Sequence, residues 1–166
     1  LDVLTAQKNG FESAVASLGT AFTEEQAQLL KKYTDKILIS YDNDEAGKNA
    51  IIKAGYILKK YDFDVKCLVM DGNEKDPDEF LRKNGKKAFI EVVKKSEEIF
   101  DFLTKEASKD LDLNDISGKR KFIERLKPFF SNVTSNLNKN LYLQRLSANF
   151  EIDEFILAEE LKNLSK

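Results

Sequence analysis

Two hydrophobic patterns divide the chain. Over its first half, short apolar or β-branched runs alternate with helical stripes. "SAVAS" (13–17), "KILISY" (36–41) and "DVKCLVM" (64–70) predict strands. Residues 2–9, a segment opening at Thr23, and 45–60 predict helices, the last with Ala46, Ala50, Ile51, Ala54, Ile57 and Leu58 along one stripe. Thr23-Glu24-Glu25-Gln26 has the form of a capping box. Strands alternating with helices imply βαβ units, an α/β fold and a mainly parallel sheet covered on both faces. From about residue 78 onward the period is helical throughout, with helices expected at 78–84, 86–95, 97–108, 118–131, 138–150 and 153–164. Gly85, Gly118 and the stretch "KPFFSNVTSNLNKN" supply the breaks. The expected organisation is an α/β domain over 1–95 followed by an all-helical bundle subdomain over 96–166.

Composition narrows the chemistry more than the fold. The 166 residues are 42% hydrophobic and 34% charged, with 27 basic and 29 acidic side chains and a net charge of −2. Such a balance gives no free-standing polyanion-binding surface, although an acidic cleft and a local basic face can coexist. No run reaches the roughly 20 apolar residues of a membrane span, so no membrane partner is expected. One cysteine, Cys67, cannot pair internally, and the cytoplasm is the expected compartment. The chain has no histidine, which removes Ser-His-Asp and Cys-His nucleophile systems, histidine zinc sites and histidine bases together. Catalysis would rest on carboxylates, lysines, hydroxyls and bound metal.

Ligands of open parallel sheets bind beyond the carboxyl ends of the strands. At such ends the chain carries "SLGT", "YDNDEAG" and "DGNEKDPD". If neighbouring strands carry the last two, Asp42, Asp44, Asp76 and Asp78 converge on one sheet edge. An all-oxygen donor set suits Mg²⁺ or Mn²⁺, and phosphoryl chemistry is the usual use of such a site. Taken singly, each pair reads first as a helix cap, Asp76-Pro77-Asp78-Glu79 most of all. The two roles are compatible, because one carboxylate can cap while its neighbour ligates. Gly19 and Thr20 offer amides to a phosphate, with a plain tight turn the simpler reading. Lys31-Lys32, Lys59-Lys60, Lys86-Lys87 and Lys94-Lys95 offer charge to a nucleic-acid backbone, with a solvated helix face the simpler reading. "GKRKF" (118–122), the densest basic cluster, likewise opens an amphipathic helix. A receiver-like or phosphatase-like acidic pocket would show a similar layout.

"AVASLGTAFTEEQ", the aspartate pair before "AG", and "DPDEFLRKNG" together resemble the TOPRIM segment of DnaG-type bacterial primases over about residues 1–95. The later "NLYLQRLSANFEI" is similar, more loosely, to the helical bundle that closes the primase catalytic core. The resemblance implies a TOPRIM-type sheet flanked by helices. It also implies a nucleotidyltransferase, a DNA-directed RNA polymerase that lays short RNA primers on single-stranded DNA from ribonucleoside triphosphates. By position, Asp42 and Asp44 match the "DxD" pair, Asp76 and Asp78 the "DPD" pair, and Asp2 the aspartate of "EGYxDV". All five are thereby implied metal ligands for Mg²⁺ or Mn²⁺, and the two pairs the catalytic residues. Asn43 stands where the family usually has glycine, and asparagine tolerates the same left-handed turn. The family's metal-binding glutamate would fall just before Leu1. The zinc-binding module, the basic part of the core and the helicase-binding domain would lie outside this chain, so the replicative helicase is expected as a partner through a domain absent here. The expected object is a monomeric fragment, inactive alone. Two other readings stand beside this one: a TOPRIM nuclease or topoisomerase, for which no nucleophilic tyrosine motif appears nearby, and a non-enzymatic receiver-like interaction domain.

Overall fold

The computed structural model describes residues 2–17, 21–68 and 76–162. In chain order the elements are α1 (Asp2–Lys8), α2 (Glu24–Lys31), β1 (Lys36–Ile39), α3 (Glu45–Lys60), β2 (Asp64–Cys67), α4 (Pro77–Lys94), β3 (Glu97–Glu98), α5 (Ile99–Ser108), α6 (Ile116–Asn132), α7 (Asn136–Phe150) and α8 (Glu154–Lys162). The capping box forms as expected: the Thr23 hydroxyl accepts from the Gln26 amide, and the Gln26 side chain accepts from the Thr23 amide.

β1 and β2 pair in parallel through the α3 crossover, Ile37 opposite Val65 and Ile39 opposite Cys67. Those four side chains share one face, where Ile39, Val65 and Cys67 are buried. β3, two residues long, adds antiparallel to β2 where no strand was expected. The other face carries Lys36, Leu38, Asp64 and Lys66, all exposed, so the expected cover on both faces is incomplete. Among the described residues, helices cover that face only at its carboxyl end, where Leu68 joins Ala6, Leu81 and Phe89 in a second small core between α1 and α4.

The expected strand over 13–17 is absent. Ala14 donates to the Phe11 carbonyl at 3.1 Å and its own carbonyl accepts from Gln7 at 3.0 Å, so its backbone is engaged locally rather than in a ladder. Val15 is left 69% exposed. β-branched composition cannot make a strand without a neighbour to pair with. β1 stops at Ile39, short of the expected Tyr41, and β2 spans Asp64–Cys67; residues 69–70 of the expected strand lie outside the described residues.

The helical half follows the apolar period closely. Gly85 breaks Pro77–Lys94 into two helical halves at φ 75°, a left-handed conformation open to glycine. Gly118 is no break. It sits in the first turn of α6, where a Cβ would lie 1.8 Å from the Asp112 carbonyl oxygen. Phe122, Phe129, Phe130, Leu146, Leu157 and Leu161 are fully buried. One continuous core joins them to Ile39, Val65, Leu58 and Phe63 of the α/β part. A polar seam reinforces the junction: Tyr142 donates to Glu98 at 3.1 Å, Arg145 pairs with Glu98 and Asp101, and buried Lys59 donates to the Phe63 carbonyl at 3.0 Å. Among the described residues no helix is long and apolar enough to cross a membrane.

Gly118→Ala is therefore expected to destabilise the fold by about 1–3 kcal/mol, as overpacking against backbone does. Urea denaturation of the two chains measures it, and an unchanged midpoint would contradict the close approach.

Candidate active site

The loop after β1 and the start of α4 form the two sides of an acidic patch. Asp44 caps α3 from extended backbone, its Oδ1 accepting from the Gly47 amide at 2.7 Å. Gly47 also lets the loop fold back, because a Cβ there would lie 1.9 Å from the Asp42 carbonyl oxygen. Asp42 is thus pressed onto the helix entrance by its backbone while its carboxylate stays free of the cap. Asp76 caps α4 in the same manner, Oδ1 accepting from the Glu79 amide at 2.7 Å, with Pro77 at the first helical position.

Three of the other expected residues act electrostatically on Asp42. Burial, and then the charges of Asp2, Asp76 and Asp44, push the Asp42 carboxyl above its ordinary value. Asp2 also reaches α4 directly, Oδ1 accepting from the Asp78 amide at 3.2 Å. Asp78 is differently placed. Its Oδ1 accepts from the Thr5 hydroxyl and its Oδ2 lies 2.9 Å from the Arg82 Nε. The Thr5 bond first, and then Arg82, hold its carboxyl below the ordinary range.

The donor set around Asp42 fits a hard cation. It is all oxygen, mutually repulsive, and Asp44 and Asp76 each keep a second oxygen outside the cap bond. Among the described residues no three acidic or thiol side chains stand together closely enough to hold a metal ion by themselves. A Mg²⁺ here would have to take one or two carboxylates together with waters and substrate phosphates.

Gly47, Thr5 and Arg82 had not been singled out as site residues from the sequence. Arg82 follows Asp78 by four positions on one helix face, a spacing that signals an ion pair. Gly19 and Thr20 lie outside the described residues. Several of the lysine pairs are engaged within the chain, including Lys31 with Asp35, Lys60 with Glu24, Lys94 with Glu91, and Lys86 over the Phe11 ring.

A Toprim-like family model matches residues 1–81, and a model of the DnaB-helicase binding domain of primase matches 100–154. The second match falls inside the bundle, although helicase contact had been expected only from a domain beyond this chain. The DNA primase of Clostridium acetobutylicum is 37% identical over 148 residues, covering 89% of this chain and 24% of that protein. A crystal structure of a DNA primase domain from Pseudomonas aeruginosa aligns with 98% of this chain at TM-score 0.86 and 25% identity, over 51% of that chain. A DnaG primase catalytic domain bound to single-stranded DNA aligns with 93% of this chain and 50% of that one, at TM-score 0.81 and 29% identity. The fold and the acidic βα junctions thus define a TOPRIM-type α/β unit with an attached bundle. The chain belongs to the DnaG-type bacterial primase family. It spans about a quarter of the length of the curated relatives it matches, and the catalytic-core structures align with the bundle as well as with the α/β part.

Because the folded Asp42 carboxyl titrates above the unfolded value of about 3.9, its ionisation opposes folding. The penalty is complete above the folded pKa and fades as pH falls below the unfolded one. Asp42→Asn is expected to stabilise the metal-free chain at pH 7 by up to about 0.5 kcal/mol, a small gain because the group is solvated. The gain should vanish at about pH 3. Urea midpoints at the two pH values measure it, and destabilisation at pH 7 would contradict the repulsion.

Proposed function

We propose that this chain is the TOPRIM part (1–95) and bundle (96–166) of a replicative primase's catalytic core, and that Asp42, Asp44 and Asp76, with Asp2 beside them, hold a divalent cation. The whole enzyme would synthesise short RNA primers on a single-stranded DNA template from ribonucleoside triphosphates, in the cytoplasm. The observation that carries this reading is that the charges of Asp2, Asp76 and Asp44 all act on Asp42, in the loop that follows the first strand of a parallel pair. It is supported by relatives named DNA primase and by the alignment with a catalytic domain bound to single-stranded DNA. The match over 100–154 supports a replicative helicase as a partner.

The reaction is attack of a primer 3′-hydroxyl on an α-phosphorus, with pyrophosphate leaving. A bound Mg²⁺ or Mn²⁺ would supply charge neutralisation on the phosphates and a lower pKa for that hydroxyl. The chain's own residues do the positioning. Asp44 and Asp76 are fixed by their caps, and the N-terminal amides of α3 and α4 beside them favour bound anionic groups. Asp42, whose carboxyl is pushed up by burial and by its acidic neighbours, is a carboxylate whose ionisation a bound cation would relieve. The bundle shares its core with the strands, so it holds the sheet that carries both acidic loops.

In an intact primase carrying this segment, Asp42→Asn is expected to cut primer yield on single-stranded DNA by about 100-fold or more, corresponding to about 2.7 kcal/mol of lost transition-state stabilisation. Labelled primer synthesis measures it. Strand cleavage by the wild-type protein without RNA synthesis would contradict the reading and favour a nuclease.

A further inference from the structure

The resemblance that set Asp78 among the metal ligands treats the two aspartates of "DPD" alike, but their geometry differs. Asp76 is the N-cap of α4 and Asp78 lies two residues further on. Residues two apart on a helix do not face one another. Asp76 is among the carboxylates that act on Asp42, whereas Asp78 faces α1. Its Oδ1 is engaged there by the Thr5 hydroxyl, its Oδ2 pairs with Arg82 one turn on in α4 itself, and its side chain is 14% exposed.

We propose that Asp78 is a positioning residue outside the cation's ligand set, tying α1 to the first turn of α4 and so aiming Asp2 and Asp76 at Asp42. The tie has two strands. Thr5 and Asp2 stand three residues apart on one face of α1: Thr5 donates to the Asp78 carboxylate, and Asp2 accepts from the Asp78 amide. Two first-turn amides of α4 are thereby satisfied by two carboxylates, Glu79's by Asp76 and Asp78's by Asp2. Beneath the tie, Ala6, Leu81 and Phe89 form the apolar contact between the same helices. Arg82 neutralises Asp78, so the tie adds no further negative charge to the patch. This assignment rests on the cation reading above for Asp42, Asp44 and Asp76 but not for its own contacts.

The test uses the 166-residue chain, Mn²⁺ titration, and amide hydrogen exchange of α1 without metal. Asp78→Ala cuts the tie and is expected to weaken Mn²⁺ binding by about tenfold, as loss of a supporting residue does. It should also speed α1 exchange by at least about tenfold. Asp78→Asn, which still accepts from Thr5, is expected to restore both to within about twofold of wild type, where a lost ligand would stay lost. Asn binding Mn²⁺ as weakly as Ala, or unaltered α1 exchange in Asp78→Ala, would each overturn the assignment. The exchange arm is read without metal, so it judges the tie even if wild type binds no Mn²⁺, a result that would instead sink the cation reading.

Discussion

Two carboxylate-to-amide bonds, Asp44 to Gly47 and Asp76 to Glu79, organise everything near the acidic patch. A helix entrance leaves amides without partners and carries a partial positive charge, so a carboxylate is the natural group to fill it. Here each entrance follows the sheet, and each cap fixes a loop whose other carboxylate or second oxygen looks outward. The capping chemistry that stabilises α3 and α4 is therefore what concentrates negative charge at one place. Gly47 is the backbone counterpart of those bonds, because the Asp42 carbonyl occupies the space a side chain would need.

The cost of that concentration falls on Asp42. Its carboxyl is pushed up by burial and by three like-charged neighbours, so the metal-free patch opposes its own ionisation. Asp78 avoids the same fate through Thr5 and Arg82 and serves the packing of α1 on α4. The rest of the fold acts as a frame for this division. One core runs from the buried face of β1 and β2 into the phenylalanine cluster of the bundle, and the seam of Tyr142, Arg145, Glu98 and Asp101 locks β3 beside β2.

What could be read from residue order was whatever local chemistry decides. The capping box at Thr23, the α3 stripe, the break at Gly85 and the helical second half all follow from spacing within a few turns. Both acidic pairs were legible as caps, Asp44 and Asp76 each filling a helix entrance, and the strand-end rule raised the expectation that the two loops share one sheet edge. What failed depended on distant partners. "SAVAS" has strand composition but no neighbouring ladder among the described residues. Gly118 looks like a terminator and is instead a contact point for the Asp112 carbonyl. The open second face of the sheet needed the placement of Lys36, Leu38, Asp64 and Lys66 to be seen. Thr5's bond to Asp78, 73 residues away, leaves no local trace at all.

The central claim is that the two capped loops form one cation site. Paramagnetic broadening of backbone amide resonances by sub-stoichiometric Mn²⁺ tests it most directly. The account predicts that residues 42–47 and 76–79 lose intensity together at the lowest Mn²⁺ level, while α6, α7 and α8 are spared. Broadening of one acidic loop with the other untouched, or broadening spread evenly over the surface carboxylates, would contradict it.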